Sequence, residues 1–273
     1  MKIGIDLGGT NVRVGVVDNG KIIQKISEPC RADKSEKEVL DHLISMIRQL
    51  KTDQTESIGI GVPSVVDAEL GIVYNVVNIP SWEKVFLKTV LEKEFNIPVA
   101  VNNDCNCFAL GEYKFGEGVG YKDIVCVALG TGVGAGIIIN GKLYNGQNTG
   151  AGEIGCIPYL EHDYEYYCGS AFFSKENNLT GKDAFLMGQD QNSEALELWK
   201  QMGGHVGNLM KAILFAYDPQ AIILGGSISN AYNFFSSAMW DSMQDFPYPE
   251  TLNSIRVTVS QKEDIALLGA SEL

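Results

Sequence analysis

The chain has 273 residues, 45% of them hydrophobic and 20% charged, with 21 Lys and Arg against 34 Asp and Glu. The resulting formal charge of −13 repels both a nucleic-acid backbone and an anionic membrane surface, which argues against either as a partner. The length admits two modest domains, or one large domain with a deep cleft.

Met1 and Lys2 lead straight into the strand-like Ile3-Gly4-Ile5, with no basic stretch followed by an apolar one, and no apolar run is long enough to span a bilayer. A cytoplasmic location is therefore expected. The six cysteines, Cys30, Cys105, Cys107, Cys126, Cys156 and Cys168, are scattered among apolar neighbours, so they are expected to be reduced and mostly buried.

Asp6-Leu7-Gly8-Gly9-Thr10 is followed by a valine-rich stretch over 12–17 and by Asn19-Gly20-Lys21. Leu129-Gly130-Thr131-Gly132, Ile137-Ile138-Ile139 and Asn140-Gly141-Lys142 repeat that order. Each copy reads as strand, glycine turn, strand, Asn-Gly hairpin and strand. The glycine turns leave backbone N–H groups free to face an anion, so two of them, one per half, suit a shared polyphosphate. Either turn alone reads as a plain hairpin. No G-x-x-x-x-G-K-[ST] occurs, and Gly130-Thr131-Gly132 runs into β-branched residues instead of opening a helix, which excludes a P-loop and a dinucleotide fingerprint.

Between the copies the pattern predicts a helix over 35–51, entered by a Ser35/Glu38 capping box. A strand over 57–62 and a loop over 63–82 follow, then a helix over 83–95, a strand over 97–101 and a helix entered at Asn103 or Asp104. Beyond the second copy, one long helix spans 193–217, bent at Gly203-Gly204, before a strand over 221–224. Strands alternating with helices in both halves indicate α/β architecture.

Five motifs occur in order: Asp6-Leu7-Gly8-Gly9-Thr10-Asn11, Asn102-Asn103-Asp104-Cys105-Asn106, the glycine-rich run from Leu129 to Gly136, Gly150-Ala151-Gly152-Glu153-Ile154-Gly155, and Leu224-Gly225-Gly226-Ser227. Together they resemble the ROK family of sugar kinases and repressors, within the actin, hexokinase and Hsp70 superfamily, and the resemblance covers essentially the whole chain. It implies a duplicated ribonuclease-H-like (actin-like ATPase) fold with two domains around a cleft. The expected domains are 1–112 and 113–273, with 265–273 packing back on the first. With no helix-turn-helix ahead of Met1 in this sequence, the kinase branch is the expected one, not the repressors. It implies transfer of the ATP γ-phosphoryl to a hexose, in first place to the 6-hydroxyl of glucose.

Such a transfer needs positioning, charge stabilisation and a base at the acceptor hydroxyl. Asp104, at the end of an apolar strand, is the candidate base, and helix capping is its alternative duty, which Asn103 can equally fill. The resemblance has Asn103 and Asp104 both bonding the sugar, and Asp104 taking the proton. Asp6 is the candidate ligand for Mg²⁺, through water, or else a turn-forming residue. Gly8, Gly9, Thr10 and Asn11, with Gly130, Thr131 and Gly132, are the candidate phosphate contacts. Gly225, Gly226 and Ser227 are the candidate adenosine turn, a plain tight turn being the other reading. Glu153, in a Gly-rich loop, is a candidate sugar ligand, and the resemblance adds Asn78 and Glu165, with Glu161 and Asp163 as nearby alternatives to Glu165; a solvated acidic loop is the bland reading of all three. Trp82 reads as core.

The pattern breaks at one place. Many ROK proteins hold a structural zinc with a His and three Cys near these glutamates, but here Cys156 stands at the His position and only His162 and Cys168 lie near. No zinc is expected, and Tyr159, Tyr164, Tyr166 and Tyr167 are left to order the loop by packing. The same replacement leaves the acceptor open between glucose, fructose and an N-acylated hexosamine. A non-catalytic sugar sensor or a nucleotide-driven ATPase switch are the alternatives from other classes. The expected partner is a small-molecule sugar, with neither nucleic acid nor membrane, and a homodimer is compatible with that reading.

Overall fold

The computed structural model describes residues 1–147 and 149–273. The first half carries strands β1 (Lys2–Leu7), β2 (Asn11–Asp18) and β3 (Lys21–Pro29), helix α1 (Glu36–Leu50), and strands β4 (Ser57–Val62), β5 (Val65–Asp67), β6 (Ile72–Tyr74) and β7 (Lys84–Val85). Helix α2 (Leu87–Phe95), strand β8 (Val99–Asn103) and helix α3 (Asp104–Phe115) complete it. The second half begins with β9 (Ile124–Leu129), β10 (Val133–Ile139), β11 (Lys142–Leu143), β12 (Pro158–Tyr159) and β13 (His162–Asp163). Helices α4 (Tyr164–Cys168), α5 (Ala171–Glu176), α6 (Gly181–Gln189) and α7 (Ser193–Tyr217) follow, then β14 (Ala221–Gly225), α8 (Tyr232–Met243), α9 (Pro249–Ser254), β15 (Arg256–Val259) and α10 (Ile265–Ala270).

Two five-stranded sheets have the orders β3-β2-β1-β4-β8 and β11-β10-β9-β14-β15. In the first, β1 pairs antiparallel with β2 and parallel with β4, and β4 pairs parallel with β8. In the second, β14 lies parallel between β9 and β15. A helix precedes each added parallel strand, as a parallel crossover requires. The repeat read from glycine turns is thus a repeat of topology. Both Asn-Gly hairpins have two successive residues at positive φ: 49° and 72° at Asn19 and Gly20, 51° and 74° at Asn140 and Gly141. That geometry matches the twist of the flanking strands, and Asn and Gly adopt it at least cost.

The chain divides into two compact units, the first made of residues 1–120, 136–151 and 261–273, the second of 121–135 and 152–260. This differs in two ways from a break at 112/113. Residues 113–120 stay with the first unit because α3 continues to Phe115, whose ring lies under Gly20. Residues 136–151 join it because Gly136 sits against the Cys105 carbonyl and the Ala109 methyl group. In the first unit, α10 lies so close to β4 that a Cβ on Gly59 would come within 1.7 Å of the Ala270 carbonyl oxygen. The buried side chains of Ile3, Ile5, Val14, Leu43, Ile47, Ile58 and Ile60 form its core between sheet and α1.

Helix α1 has its capping box: Ser35 Oγ accepts from Glu38 N, and Glu38 Oε2 accepts from Ser35 N at 3.1 Å, which is worth about 1 kcal/mol. The helix expected over 83–95 starts four residues later, because Lys84 and Val85 pair with β6. The strand expected over 97–101 runs over Val99–Asn103, in register with Ile58–Val62, so Asn102 and Asn103 are themselves strand residues. The loop over 63–82 contains the β5–β6 hairpin. Helix α7 runs unbroken through Gly203 and Gly204. Gly203 makes room for α8, since a Cβ there would meet the Phe235 carbonyl oxygen at 2.4 Å, whereas one on Gly204 would meet nothing within 4 Å.

Candidate functional site

The first unit gathers most of the predicted acids and amides at the carboxyl ends of β1, β4 and β8. Asn103 is the N-cap of α3, and its Oδ1 accepts from Cys105 N at 2.8 Å and Asn106 N at 3.4 Å. Its Nδ2 donates to the Ser64 carbonyl at 3.3 Å. With the cap supplied by Asn103, the Asp104 carboxylate keeps local bonds only to its own helix start, Oδ1 accepting from Cys105 N at 2.9 Å among them. Burial, then the charge of Asp6, push the Asp104 carboxyl up to about 6. A carboxylate with that value is ionised at neutral pH and basic enough to take a proton from a hydroxyl under attack.

Asp6 ends β1 opposite Arg13 on β2, and Arg13 Nη1 donates to Asp6 Oδ2 at 3.0 Å. Burial raises the Asp6 carboxyl and the Arg13 guanidinium opposes that rise. Arg13 was not singled out in the sequence; the register of β1 and β2, which sets it on Asp6, is the signal that finds it. The adjoining turn closes with Gly8 N donating to the Asn11 carbonyl at 2.9 Å, and Thr10 and Asn11 are exposed. Asn78 packs on this turn, so that a Cβ on Gly9 would lie 2.3 Å from Asn78 Cβ. The structure thereby brings together a candidate sugar ligand and a candidate phosphate turn. Trp82 is fully buried, as core.

In the second unit, the turn Gly130-Thr131-Gly132 is held from behind. Ser170 N donates to the Gly130 carbonyl at 2.9 Å, and Ser170 Oγ to the Thr131 carbonyl at 3.2 Å. Glu165 belongs to the same support: its Oε2 accepts from Val133 N at 3.0 Å and lies where a Cβ on Gly132 would sit. Glu165 therefore has a turn-bracing duty that its sequence context did not reveal. Glu153 is exposed, with a carboxyl raised by burial and then by Glu165. Gly226 has φ 81° and is pressed on β9, a Cβ there falling 2.2 Å from the Leu129 carbonyl oxygen. Packing and φ alone demand glycine at 226, whatever binds beside Gly225 and Ser227.

The four tyrosines near the break in the family pattern pack as a cluster. Tyr159 stacks on Tyr164 at 4.3 Å between ring centroids, Tyr167 meets Tyr159 edge-on at 5.6 Å, and His205 lies 4.8 Å from Tyr167. His162 stacks on Tyr166 at 3.9 Å. Cys156 is exposed and Cys168 buried, and burial pushes both thiols up, away from the thiolate that zinc binds. Among the described residues, no three His, Cys, Asp or Glu side chains converge as a metal set. The donors present do not fit the zinc that the resemblance implies.

The doubled sheet and the turns at its strand ends define a duplicated ribonuclease-H-like, actin-like ATPase fold, which solved sugar-kinase structures share. The ROK family model matches residues 2–273, and the chain belongs to the ROK family. It is 28% identical to a glucokinase of Thermotoga maritima, over 99% of this chain and 96% of that protein. A ROK family glucokinase from Streptomyces griseus, solved in complex with glucose and AMPPNP, is 25% identical with a TM-score of 0.83, covering 99% of this chain and 98% of that one. The xylose repressor of Bacillus subtilis is 27% identical over 85% of this chain and 66% of its own length.

Proposed function

We propose that this protein transfers the γ-phosphoryl group of ATP to a hexose, with the 6-hydroxyl of glucose as first candidate. The observation that carries the reading is Asp104: a partly buried carboxylate at the head of α3, relieved of capping by Asn103 and raised to about 6. The glucokinase relative and the glucokinase solved with glucose and AMPPNP support the reaction class.

Asp104 accepts the proton of the acceptor hydroxyl as the oxygen attacks phosphorus, so the oxygen does not carry a full positive charge. Asn103 and Asn78 are the proposed ligands of sugar hydroxyls in the first unit, and Glu153 is a further candidate ligand. Glu165 takes part through the turn that it braces. In the turns Gly8 to Asn11 and Gly130 to Gly132, the Gly8 and Gly130 N–H groups close the turns, which leaves the other backbone N–H groups and the threonine hydroxyls for phosphate, and Gly225 to Ser227 face the adenosine. Asp6 suits a magnesium ion: it is an oxygen donor at a strand end, its side chain 22% exposed, and its charge is near enough to the Asp104 carboxylate to raise it. Magnesium supplies neutralisation of phosphate charge when bound, most of its ligands being water. Arg13 holds Asp6 in place at the turn.

Cys156, exposed where relatives carry a His, keeps fructose and N-acylated hexosamines beside glucose as acceptors. The test is a coupled ADP assay over these sugars with ATP and Mg²⁺. Sugar-dependent ADP release is the expected result. Sugar binding without ADP release would instead establish a sensor of the repressor kind.

A further inference from the structure

Behind the catalytic turn lies a set of three amides. Asn102, near the end of β8, and Asn106, in the first turn of α3, are buried, 4% and 0% exposed. Asn102 Oδ1 accepts from Asn103 N at 2.8 Å and from Asn106 Nδ2 at 2.9 Å. Asn145, in the segment that joins the first unit after β11, completes the triangle. Its Oδ1 accepts from Asn102 Nδ2 at 3.1 Å and from Asn106 Nδ2 at 3.2 Å.

The donor and acceptor pattern has one consistent solution. Turning the Asn106 amide over would set its oxygen against those of Asn102 and Asn145. Asn106 Oδ1 has no hydrogen-bond partner among the described residues, so this buried amide carries an unmet carbonyl that an aliphatic side chain would avoid. Stability alone does not account for that choice. What the triangle does is tie the Asn103 N–H, and with it the cap of α3 and Asp104, to Asn145. The same segment is pinned again at Thr149, whose Oγ1 accepts from Val66 N at 2.9 Å and donates to the Val66 carbonyl at 2.6 Å.

We infer that Asn106 and Asn145 are positioning residues, a buried amide clamp that sets Asn103 and Asp104 for the acceptor sugar from a segment remote in sequence. The inference rests on the kinase reading for its effect on turnover, but the clamp itself can be measured without substrate. Asn145 acts in it only as an acceptor of two N–H bonds. Asn145→Asp keeps that acceptor and Asn145→Leu removes it, and the position is only partly buried, so both variants should fold.

At about pH 8, where Asp104 is ionised, Asn145→Leu should raise the hexose KM about tenfold, the size of one lost buried hydrogen bond. The KM for ATP should stay within about twofold, and Asn145→Asp should restore the hexose KM. Amide hydrogen exchange, read without ligand, should speed up at 103–106 in Asn145→Leu and not in Asn145→Asp. Equal exchange in the two variants overturns the clamp, and so does an unchanged hexose KM in an active Leu variant. If the wild-type protein phosphorylates no sugar, the kinase reading fails by itself, and the exchange comparison still decides the clamp.

Discussion

The two glycine turns have one topology and different chemistry. The first follows Asp6, which faces Arg13, and Asn78 packs against its Gly9. Ala128 stands before the Leu-Gly pair of the second, where Asp6 stands in the first, and that turn is instead braced by Ser170 and Glu165. Duplication supplied two glycine turns of one topology. Carboxylates gathered beside one, and bracing side chains behind the other.

The largest test of this division is Asp104→Asn. The amide keeps the shape and the Cys105 N–H bond but cannot take a proton, so turnover should fall by about 100-fold or more, with sugar binding retained. Steady-state kinetics beside a glucose-binding titration checks it; near-normal kcat removes Asp104 as base. The two turns should then separate under equivalent insertions of one methyl group. Gly9→Ala drives into Asn78 and should raise the hexose KM about tenfold, whereas Gly132→Ala displaces Glu165 and should raise the ATP KM by a similar factor. The same KM change in both variants would erase the distinction between the turns.

The pH dependence has two arms. Because Asp104 must be ionised to act, kcat should decline as pH falls through about 6. For stability the sign is opposite. A carboxyl whose folded value is raised favours the folded state most below its unfolded value, and that contribution is lost as pH rises through about 6. Ionised Asp104 therefore costs roughly 3 kcal/mol above that pH. Asp104→Asn should raise Tm by about 5 °C near pH 8 and by little near pH 4, as read by calorimetry. An equal shift at both values would mean that burial of the charge is not the cause.

Local rules made much of this legible. The Asn-Gly turns, the Ser35 capping box and the span of α7 all rest on contacts within a few residues, and sequence displays those directly. The capping ambiguity at Asn103 and Asp104 needed coordinates, because both residues suit the position and only the backbone decides. Glu165 and Asn145 were less legible for a physical reason: their partners, Val133 and the Asn102/Asn106 pair, are tens of residues away, and no periodicity marks a bracing carboxylate or a clamping amide. The hairpin within 63–82 did have a signal, the alternation of Val65-Val66-Asp67 with Ile72-Val73-Tyr74, hidden by turn residues on both sides.

The smallest expected effect is that of chelation. The second unit's turn depends on Glu165 in α4, so whatever orders 154–170 supports that turn. Zinc would need converging, deprotonated thiols, but Cys156 and Cys168 are held as thiols and His162 is stacked flat on Tyr166. The ordering force is then the Tyr159, Tyr164, Tyr167 and His205 cluster, each aromatic pair contributing about 1 kcal/mol beyond its burial. Purified without chelator, the protein should carry far less than one zinc per chain by elemental analysis. Prior treatment with EDTA, followed by its removal and assay in excess Mg²⁺, should leave Tm and the ATP KM unchanged. Cys156→Ser should be nearly neutral, since the side chain is exposed. Tyr159→Ala should lower Tm by several degrees and raise the ATP KM, because it removes the ring on which Tyr164 stacks and leaves α4 poorly seated. Stoichiometric zinc, lost together with ATP affinity in Cys156→Ser, would return the ordering role to a metal.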